Sequence, residues 1–297
     1  STFVYQEPYP VSYLRTRAFT HTSLPTVDRR DCYKLPLFED SVNPQHPSST
    51  LIKTPIRASI PPFMATILNG KALGLSIREK IKLRVAALPS QPKLAVVLVG
   101  DDPASHVYVG LKETACEEAG IGFEMNLYES DVSEEVLLGK IAELNEDKDV
   151  HGILVQLPLP SQDASRIIQA IDPLKDVDGF HPENLEKLRR GEPTIASAVA
   201  LGVMKLIRHA VGESEIPKTA TIVASPLFAE PIKILLSEQG ASVTVTQAED
   251  AELASKTVDA DILVVAEGEP GLIIGEMVKP GAIVIDVGTT KVNGVLK

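Results

Sequence analysis

The sequence predicts an α/β protein with two domains in succession, each built on a parallel sheet, and an irregular N-terminal extension. Short apolar runs of strand length alternate with longer segments of helical periodicity from residue 64 onward. Helical crossovers between consecutive strands pair those strands in parallel. A length of 297 residues and a hydrophobic content of 44% are sufficient for two modest domains, each with its own core.

The predicted first domain spans residues 64–195 and contains three strands among four helices. Apolar residues at helical spacing predict the helices, and unbroken apolar runs predict the strands. Gly120 ends the second helix, because glycine readily takes the left-handed conformation found at helix C-termini. In chain order we predict a helix over 73–88, a strand over 94–100, a helix over 105–119, a strand over 123–128, a helix over 134–144, a strand over 152–157, a helix over 164–170 and a loop over 172–181.

The predicted second domain spans residues 196–297 and begins with a long helix that links the two halves. Its strands are again short apolar runs, which is typical of a parallel sheet covered on both faces. In chain order we predict the linking helix over 196–209, a strand over 219–223, a helix over 231–238, and strands over 242–246, 261–266 and 282–287.

Residues 1–63 differ in composition from the rest of the chain. They carry a net charge of +2 against −13 for the remainder, and they hold eight of the thirteen aromatic residues among many prolines. No helical or strand periodicity is present, so this extension is not expected to form a core of its own. Scattered aromatic side chains are typical anchors in extended contacts, and we therefore predict that residues 1–63 attach the chain to protein subunits of a larger assembly.

The start of the chain also suggests a compartment. It lacks an initial Met and is rich in Ser and Thr with several arginines, which is typical of a chain that has lost an organelle-targeting peptide. This pattern predicts the mitochondrial matrix, whereas a trimmed or tagged chain of cytoplasmic origin is the alternative.

Charge and cysteine content exclude several classes of function. The net charge of −11 opposes binding to nucleic acid, and no apolar run approaches the roughly 20 residues of a membrane-spanning helix. The two cysteines, Cys32 and Cys116, lack the spacing of metal ligands, so no metal site is predicted. Such low cysteine usage fits a reducing compartment.

Four polar residues follow or flank predicted strands where open α/β sheets bind ligands. Tyr108 and Lys112 share one helix face, so an aromatic ring and an amine can address one ligand; the alternative is a surface lysine lying over a half-buried tyrosine. Gln156 ends an apolar strand. Asp178 lies in a tight acidic loop, where it could accept hydrogen bonds from a heterocycle or close an Asx-type turn on Gly179.

In order and spacing these segments resemble the methylenetetrahydrofolate dehydrogenase/methenyltetrahydrofolate cyclohydrolase family. The resemblance implies a Rossmann-like second domain and a folate site in which Tyr108 stacks on the aminobenzoyl ring and Lys112 acts as acid/base. It further implies that Gln156 positions the lysine and that Asp178 holds the pterin. The matching stretches are residues 101–119, 151–160, 173–188, 261–270 and 278–288, within a resemblance that covers about residues 64–290.

The dinucleotide loop departs from the family pattern of Gly-Arg-Ser-x-x-Val-Gly-x-Pro. The aligned residues are Val223, Ala224, Ser225, Pro226, Leu227, Phe228, Ala229, Glu230 and Pro231, so both glycines and the arginine are replaced. Val223 and Ala229 are expected to add side chains where the backbone should approach phosphates, and Glu230 to add a negative charge at the start of a helix. No bound cofactor is therefore expected.

Three further departures concern the cleft and the chain end. Ala198 and Val199 replace a thiol and a hydroxyl of the family, and Glu267 adds an anion beside the expected cofactor path. The sequence also stops at Lys297, before the family's last loop and helix, and so resembles a C-terminally short member.

Two functions are compatible with this pattern. One is a catalytically impaired relative that serves as a structural subunit of a larger assembly, without a cofactor. The alternative is an active folate one-carbon enzyme, a methylenetetrahydrofolate dehydrogenase with NADP or NAD, a methenyltetrahydrofolate cyclohydrolase, or both. Folate is the small-molecule ligand that the resemblance allows in either case.

Overall fold

The computed structural model describes residues 2–5, 65–288, 291–292 and 295–296. Within these residues the chain is an α/β protein with two parallel sheets, so the predicted fold class is confirmed. None of the helices in the described residues is long and apolar enough to cross a membrane.

The first sheet has three parallel strands in the order β4-β3-β5, with helices on both faces. Strand β3 is central and almost entirely buried, because its run of Leu, Ala and Val packs against helices on either side. The elements are α1 (Gly70–Ala86), β3 (Lys93–Val99), α2 (Pro103–Ala119), β4 (Gly122–Tyr128), α3 (Glu134–Glu146), β5 (Gly152–Val155), α4 (Ala164–Gln169) and α5 (Pro182–Arg189).

The second sheet has six parallel strands in the order β2-β1-β9-β8-β6-β7. Two apolar clusters cover its faces, the larger one formed with α6 and α7. The elements are β1 (Thr2–Tyr5), β2 (Thr66–Ile67), α6 (Ala198–Val211), β6 (Thr219–Val223), α7 (Pro226–Glu238), β7 (Ser242–Thr246), α8 (Leu253–Thr257), β8 (Ile262–Val265) and β9 (Ile283–Asp286). A short antiparallel pair, β10 (Lys291–Val292) and β11 (Val295–Leu296), follows.

Four elements named here differ from the sequence-based expectation. Helices α5 and α8 were not predicted, since eight and five residues are too few for a clear apolar period. Helix α7 begins at Pro226, five residues before the predicted start, because Pro226 is at the first turn, where a missing N–H costs nothing. Residues Thr2–Tyr5 pair with both β9 and β2, although no strand was predicted in the extension.

The carboxyl ends of strands from both sheets border one cleft. Residues that follow β5, β6, β8 and β9 line it together with residues of α2, α6 and α7. Helix α6 therefore both links the two domains, as predicted, and forms part of the cleft wall. This is the position at which parallel sheets present backbone and side chains to ligands.

Candidate functional site

The cleft between the two domains encloses about 580 Å³, a volume typical of small-molecule sites. Its lining is mostly apolar, with few polar side chains. The four residues predicted for the folate site, Tyr108, Lys112, Gln156 and Asp178, all line it. The structure thus brings together the predicted site residues from three separate segments of the chain.

Helix α2 carries Tyr108 and Lys112 into the cleft. It begins directly after β3, and Asp102 caps it by accepting hydrogen bonds from the backbone N–H and the hydroxyl of Ser105. Tyr108 is half-buried and Lys112 is only 8% exposed. The alternative of a solvent-exposed lysine is therefore wrong, and the amine needs a polar partner inside the protein.

Gln156 provides that partner. The Lys112 Nζ donates a hydrogen bond to the Gln156 Oε1 at 2.6 Å. The Gln156 backbone N–H donates to the Val97 carbonyl, which continues the pairing of β5 with β3, and its Nε2 donates to the Leu157 carbonyl. Because the amide nitrogen is held in this way, its oxygen is directed at the lysine.

The loop that bears Asp178 is fixed to β5. Ile153 pairs in parallel with Asp176, and the Ile153 N–H donates to the Lys175 carbonyl at 2.7 Å. The Lys175 amine donates to the carbonyls of Leu144, Asn145 and Asp147 at the end of α3. The turn on Gly179 is closed by the carboxylate of Asp176, not by that of Asp178, whose side chain faces the cleft.

Burial shifts the pKa values of Lys112 and Asp178, the two ionisable groups proposed to act together at this site. It lowers the pKa of the Lys112 amine, and the nearby Asp178 carboxylate opposes that shift. Burial also raises the pKa of Asp178 to about 6; the Lys112 charge acts to lower it, and the Asp176 charge raises it further. A buried amine that loses its proton more readily than an ordinary lysine is better suited to act as an acid/base.

The predicted dinucleotide loop follows β6. Val223, Ala224 and Ala229 are at most 1% exposed and pack in the core. The expectation that Val223 and Ala229 place side chains against a bound phosphate is thus wrong, because neither projects into the cleft. Ser225 does line the cleft; it is the N-cap of α7, and its side chain makes no cap hydrogen bond.

Two acidic residues near this loop have different environments. Glu230 lies in the second turn of α7, where its carboxylate accepts hydrogen bonds from Arg189 Nη2 at 2.9 Å and Nε at 3.2 Å. It is therefore neither at the helix start nor without a countercharge, contrary to expectation. Burial raises the pKa of Glu267, and the charges of Glu249 and Glu269 raise it further. Glu267 lies in sequence between the cleft residues Ala266 and Gly268 but does not itself line the cleft, so its place beside a cofactor path stays a prediction.

Sequence reasoning missed two aromatic residues of the cleft. Phe180 and Phe228 form a tilted pair with ring centroids 5.6 Å apart, which joins the Asp178 loop to α7. Their positions next to Asp178 and inside the dinucleotide loop were the available signal. Ala198 and Val199 line the cleft as predicted. Among the described residues no group of three or more His, Cys, Asp and Glu side chains could hold a metal ion.

Two family models match the chain. The tetrahydrofolate dehydrogenase/cyclohydrolase catalytic domain matches residues 68–178, and the NAD(P)-binding domain of the same family matches residues 197–297. The chain is similar to the bifunctional protein FolD of Bordetella avium (strain 197N), with 46% identity over 231 residues, 76% of this chain and 81% of the relative. FolD of Exiguobacterium sp. is 46% identical over 237 residues, 78% of this chain and 84% of its own.

Solved structures give the same result. The FolD methylenetetrahydrofolate dehydrogenase/cyclohydrolase of Campylobacter jejuni has a TM-score of 0.71 and 39% identity, and the match covers 76% of this chain and 83% of that one. The Trypanosoma brucei enzyme, solved with NADP cofactor and inhibitor, has a TM-score of 0.72 and 33% identity, covering 77% and 80%. These comparisons give no indication of catalytic impairment and favour the active-enzyme alternative.

Proposed function

Because the chain belongs to the tetrahydrofolate dehydrogenase/cyclohydrolase family, we propose that it is an active folate one-carbon enzyme. The reaction that the site supports best is hydrolysis of 5,10-methenyltetrahydrofolate. The observation that supports this is the buried Lys112 amine, held by Gln156 beside Asp178. A buried amine in this setting indicates a functional role, since lysine side chains are rarely so deeply buried without one.

In this proposal Lys112 moves the protons. Its neutral amine accepts a proton from the water that attacks the methenyl carbon, and the resulting ammonium donates that proton to the ring nitrogen as the bond between this nitrogen and the carbon breaks. The remaining hydroxyl proton is released to solvent as the formyl C=O forms. The Gln156 oxygen, 2.6 Å from Nζ, keeps the amine oriented in both protonation states. Hydrolysis needs no hydride acceptor, and the residues assigned to it here all belong to the first domain.

The neighbouring side chains provide binding. Tyr108, on the same helix face as Lys112, offers a ring for stacking against the aminobenzoyl group. The Asp178 carboxylate accepts hydrogen bonds from pterin donors once it is ionised. Its raised pKa of about 6 gives hydrolysis an acidic limb near that pH.

The test is the loss of absorbance of 5,10-methenyltetrahydrofolate with the purified chain, after subtraction of spontaneous hydrolysis. Replacing Lys112→Met removes the titrating amine at similar volume and should lower kcat by about 10²- to 10⁴-fold. Lys82→Met, at an exposed lysine of α1, is the matched control and should not change the rate. Equal rates in wild type and Lys112→Met would disprove the role of the lysine.

A second activity, oxidation of methylenetetrahydrofolate, is favoured by the match of residues 197–297 to an NAD(P)-binding domain. The residues fit a dinucleotide in part. The N-terminus of α7 borders the cleft at Ser225 and Leu227, and such helix ends attract diphosphates, whereas Pro226 offers no N–H. Gly268 and Gly288 line the same wall. A bound dinucleotide would supply the hydride acceptor.

We propose NAD over NADP for this activity. Among the described residues, Lys112 is the one lysine or arginine that lines the cleft, and it is held by Gln156. An additional ribose phosphate would find no other cation among the described cleft residues, and Glu267, the neighbour in sequence of cleft residues Ala266 and Gly268, is an acid. Calorimetric titration should show tighter binding of NAD than of NADP. If neither dinucleotide binds, the dehydrogenase proposal fails and only the hydrolase proposal remains. That result would agree with the sequence-based expectation that no cofactor is bound.

Attachment to a larger assembly through residues 1–63, and location in the mitochondrial matrix, are proposals supported by composition alone. The charge and aromatic content of the extension favour them. Apart from Thr2–Tyr5, these residues lie outside the described part of the chain.

A further inference from the structure

A second aspartate of the Asp178 loop has no part in the function proposed above, although it is almost fully buried. Asp176 is 2% exposed. Its Oδ1 accepts a hydrogen bond from the Gly179 N–H at 3.1 Å, and its Oδ2 accepts from the His181 N–H at 2.8 Å and from the Asn184 Nδ2 at 3.0 Å. Three donors on one buried carboxylate make a strongly specified geometry.

These bonds surround Asp178 in the chain. Asp176 precedes it by two residues, and the two backbone donors, Gly179 and His181, follow it. Asp176 itself is fixed by its N–H bond to the Asp172 carbonyl and by its bridge to Ile153 of β5. The backbone on either side of Asp178 is therefore tied to one carboxylate, which is in turn tied to the strand that leads to Gln156.

The same carboxylate acts on Asp178 through charge. Lys112 from α2 and Asp176 from the loop itself are the charged groups that face Asp178 in the described structure, with opposite effects on its pKa. Removing the Asp176 charge or loosening the loop would both lower that pKa, the first by less repulsion and the second by less burial.

We propose that Asp176 is a positioning residue for the folate site, holding the Asp178 carboxyl opposite Lys112 through the loop backbone. This inference rests on the proposed function. It assigns no contact with substrate to Asp176, whose oxygens are used by the protein.

The test is Asp176→Asn, which keeps the size of the side chain and removes its charge. Hydrolysis of 5,10-methenyltetrahydrofolate should fall about 10- to 100-fold in kcat/KM, mainly through KM. The acidic limb should move below its wild-type position near pH 6. Asp172→Asn, in the same loop but bonded to Leu174, is the matched control and should leave both readouts unchanged. Thermal melting monitors folding of each variant.

A double-mutant cycle separates positioning from general destabilisation. In an Asp178→Asn background the Asp176→Asn change should cost less than about twofold, because residues that act through one another are not additive. Should Asp176→Asn fail to fold, Asp176→Glu carries the test: it keeps the charge but loosens the loop, so a raised KM and an acidic limb below its wild-type position are expected. Wild-type KM, kcat and pH profile in whichever of these variants folds would overturn the proposal.

Failure of the proposed function is recognised separately. If the wild-type chain does not hydrolyse the substrate at all, the proposed function has failed, and the positioning role is read from calorimetric binding of tetrahydrofolate. Asp176→Asn should then weaken binding about tenfold relative to Asp172→Asn. Equal affinities of the two variants would overturn it.

Discussion

Replacing Gly179 by alanine tests the contact on which the shape of the cleft depends. Gly179 has a φ of +69°, and a Cβ built on it would lie 2.5 Å from the Ser197 nitrogen and 2.6 Å from the Ala196 carbonyl carbon. Both obstacles are backbone, so neither can rotate away. The left-handed conformation costs an alanine about 1–2 kcal/mol, and forcing an extra carbon into a packed site costs about 1–3 kcal/mol more.

The expected loss in free energy of unfolding is therefore about 2–5 kcal/mol, or a fall in Tm of about 4–15 °C for a chain of this size. Gly281→Ala is the matched control, because Gly281 has a φ of +84° with open space at the Cβ position. That variant should lose only the conformational cost, about 1–2 kcal/mol. Thermal and urea unfolding of both variants measure the difference, which isolates the contact with the start of α6.

The same substitution should also affect binding. Gly179 follows Asp178 directly, so a backbone displaced from Ser197 carries the carboxyl away from Lys112, and KM for 5,10-methenyltetrahydrofolate should rise about tenfold or more. Equal changes in Tm for Gly179→Ala and Gly281→Ala would refute this reasoning, since the close approach of the loop to α6 would then have no energetic effect.

Three further predictions concern stability and attachment. The pKa of Asp178 is about 6 in the folded chain against 3.8 for an ordinary aspartate, so the folded state binds more protons in this window and stability should fall by roughly 2–3 kcal/mol as pH rises through it. Urea unfolding from pH 4 to 7 should show that Asp178→Asn removes this fall; an identical pH dependence in both proteins would contradict it. Phe180→Leu and Phe228→Leu, singly and together, should give a coupling energy of about 0.5–1.5 kcal/mol in a double-mutant cycle, and additive effects would show that the ring pair does not join the domains. A chain that begins at Met64 lacks β1, which makes β9 an edge strand of the second sheet. It should still fold, because the four apolar clusters are retained, but fail to co-purify with the proposed assembly; recovery in unchanged stoichiometry would disprove attachment through the extension.

The strands of the sheets were predictable because their apolar runs are unbroken. Strands β6 and β7 were predicted at their observed bounds, and β3 within one residue of them. Helix α7 was predicted to begin at Pro231, whereas it begins at Pro226 and contains Pro231 in its second turn, a position that a proline rarely occupies. The strand Thr2–Tyr5 gives no local signal, since its partners are distant in sequence.

At the site, the residues involved were easier to predict from the sequence than the directions in which their side chains point. Lys112 and Gln156 follow from helix spacing and strand ends, which fix the edge of the sheet where a side chain lies. The burial of Val223 and Ala229 and the pairing of Glu230 with Arg189 depend on packing between distant segments. A sequence motif alone therefore exaggerated how far the replaced loop disturbs the cleft.

Because the Asp178 loop is attached to β5, the two domains contribute different parts of the cleft. Gln156 and Asp178 lie on adjacent backbone segments joined by the Ile153–Lys175 hydrogen bond, and Lys112 is bonded to Gln156. All three therefore belong to the first domain, whereas the Phe180–Phe228 contact is made across to the second domain. Any hinge motion about α6 would change the entrance of the cleft and the wall proposed to bind a dinucleotide, while Lys112, Gln156 and Asp178 remain together. Substrate entry and product escape, rather than assembly of the acid/base, would then be the steps that respond to solvent viscosity.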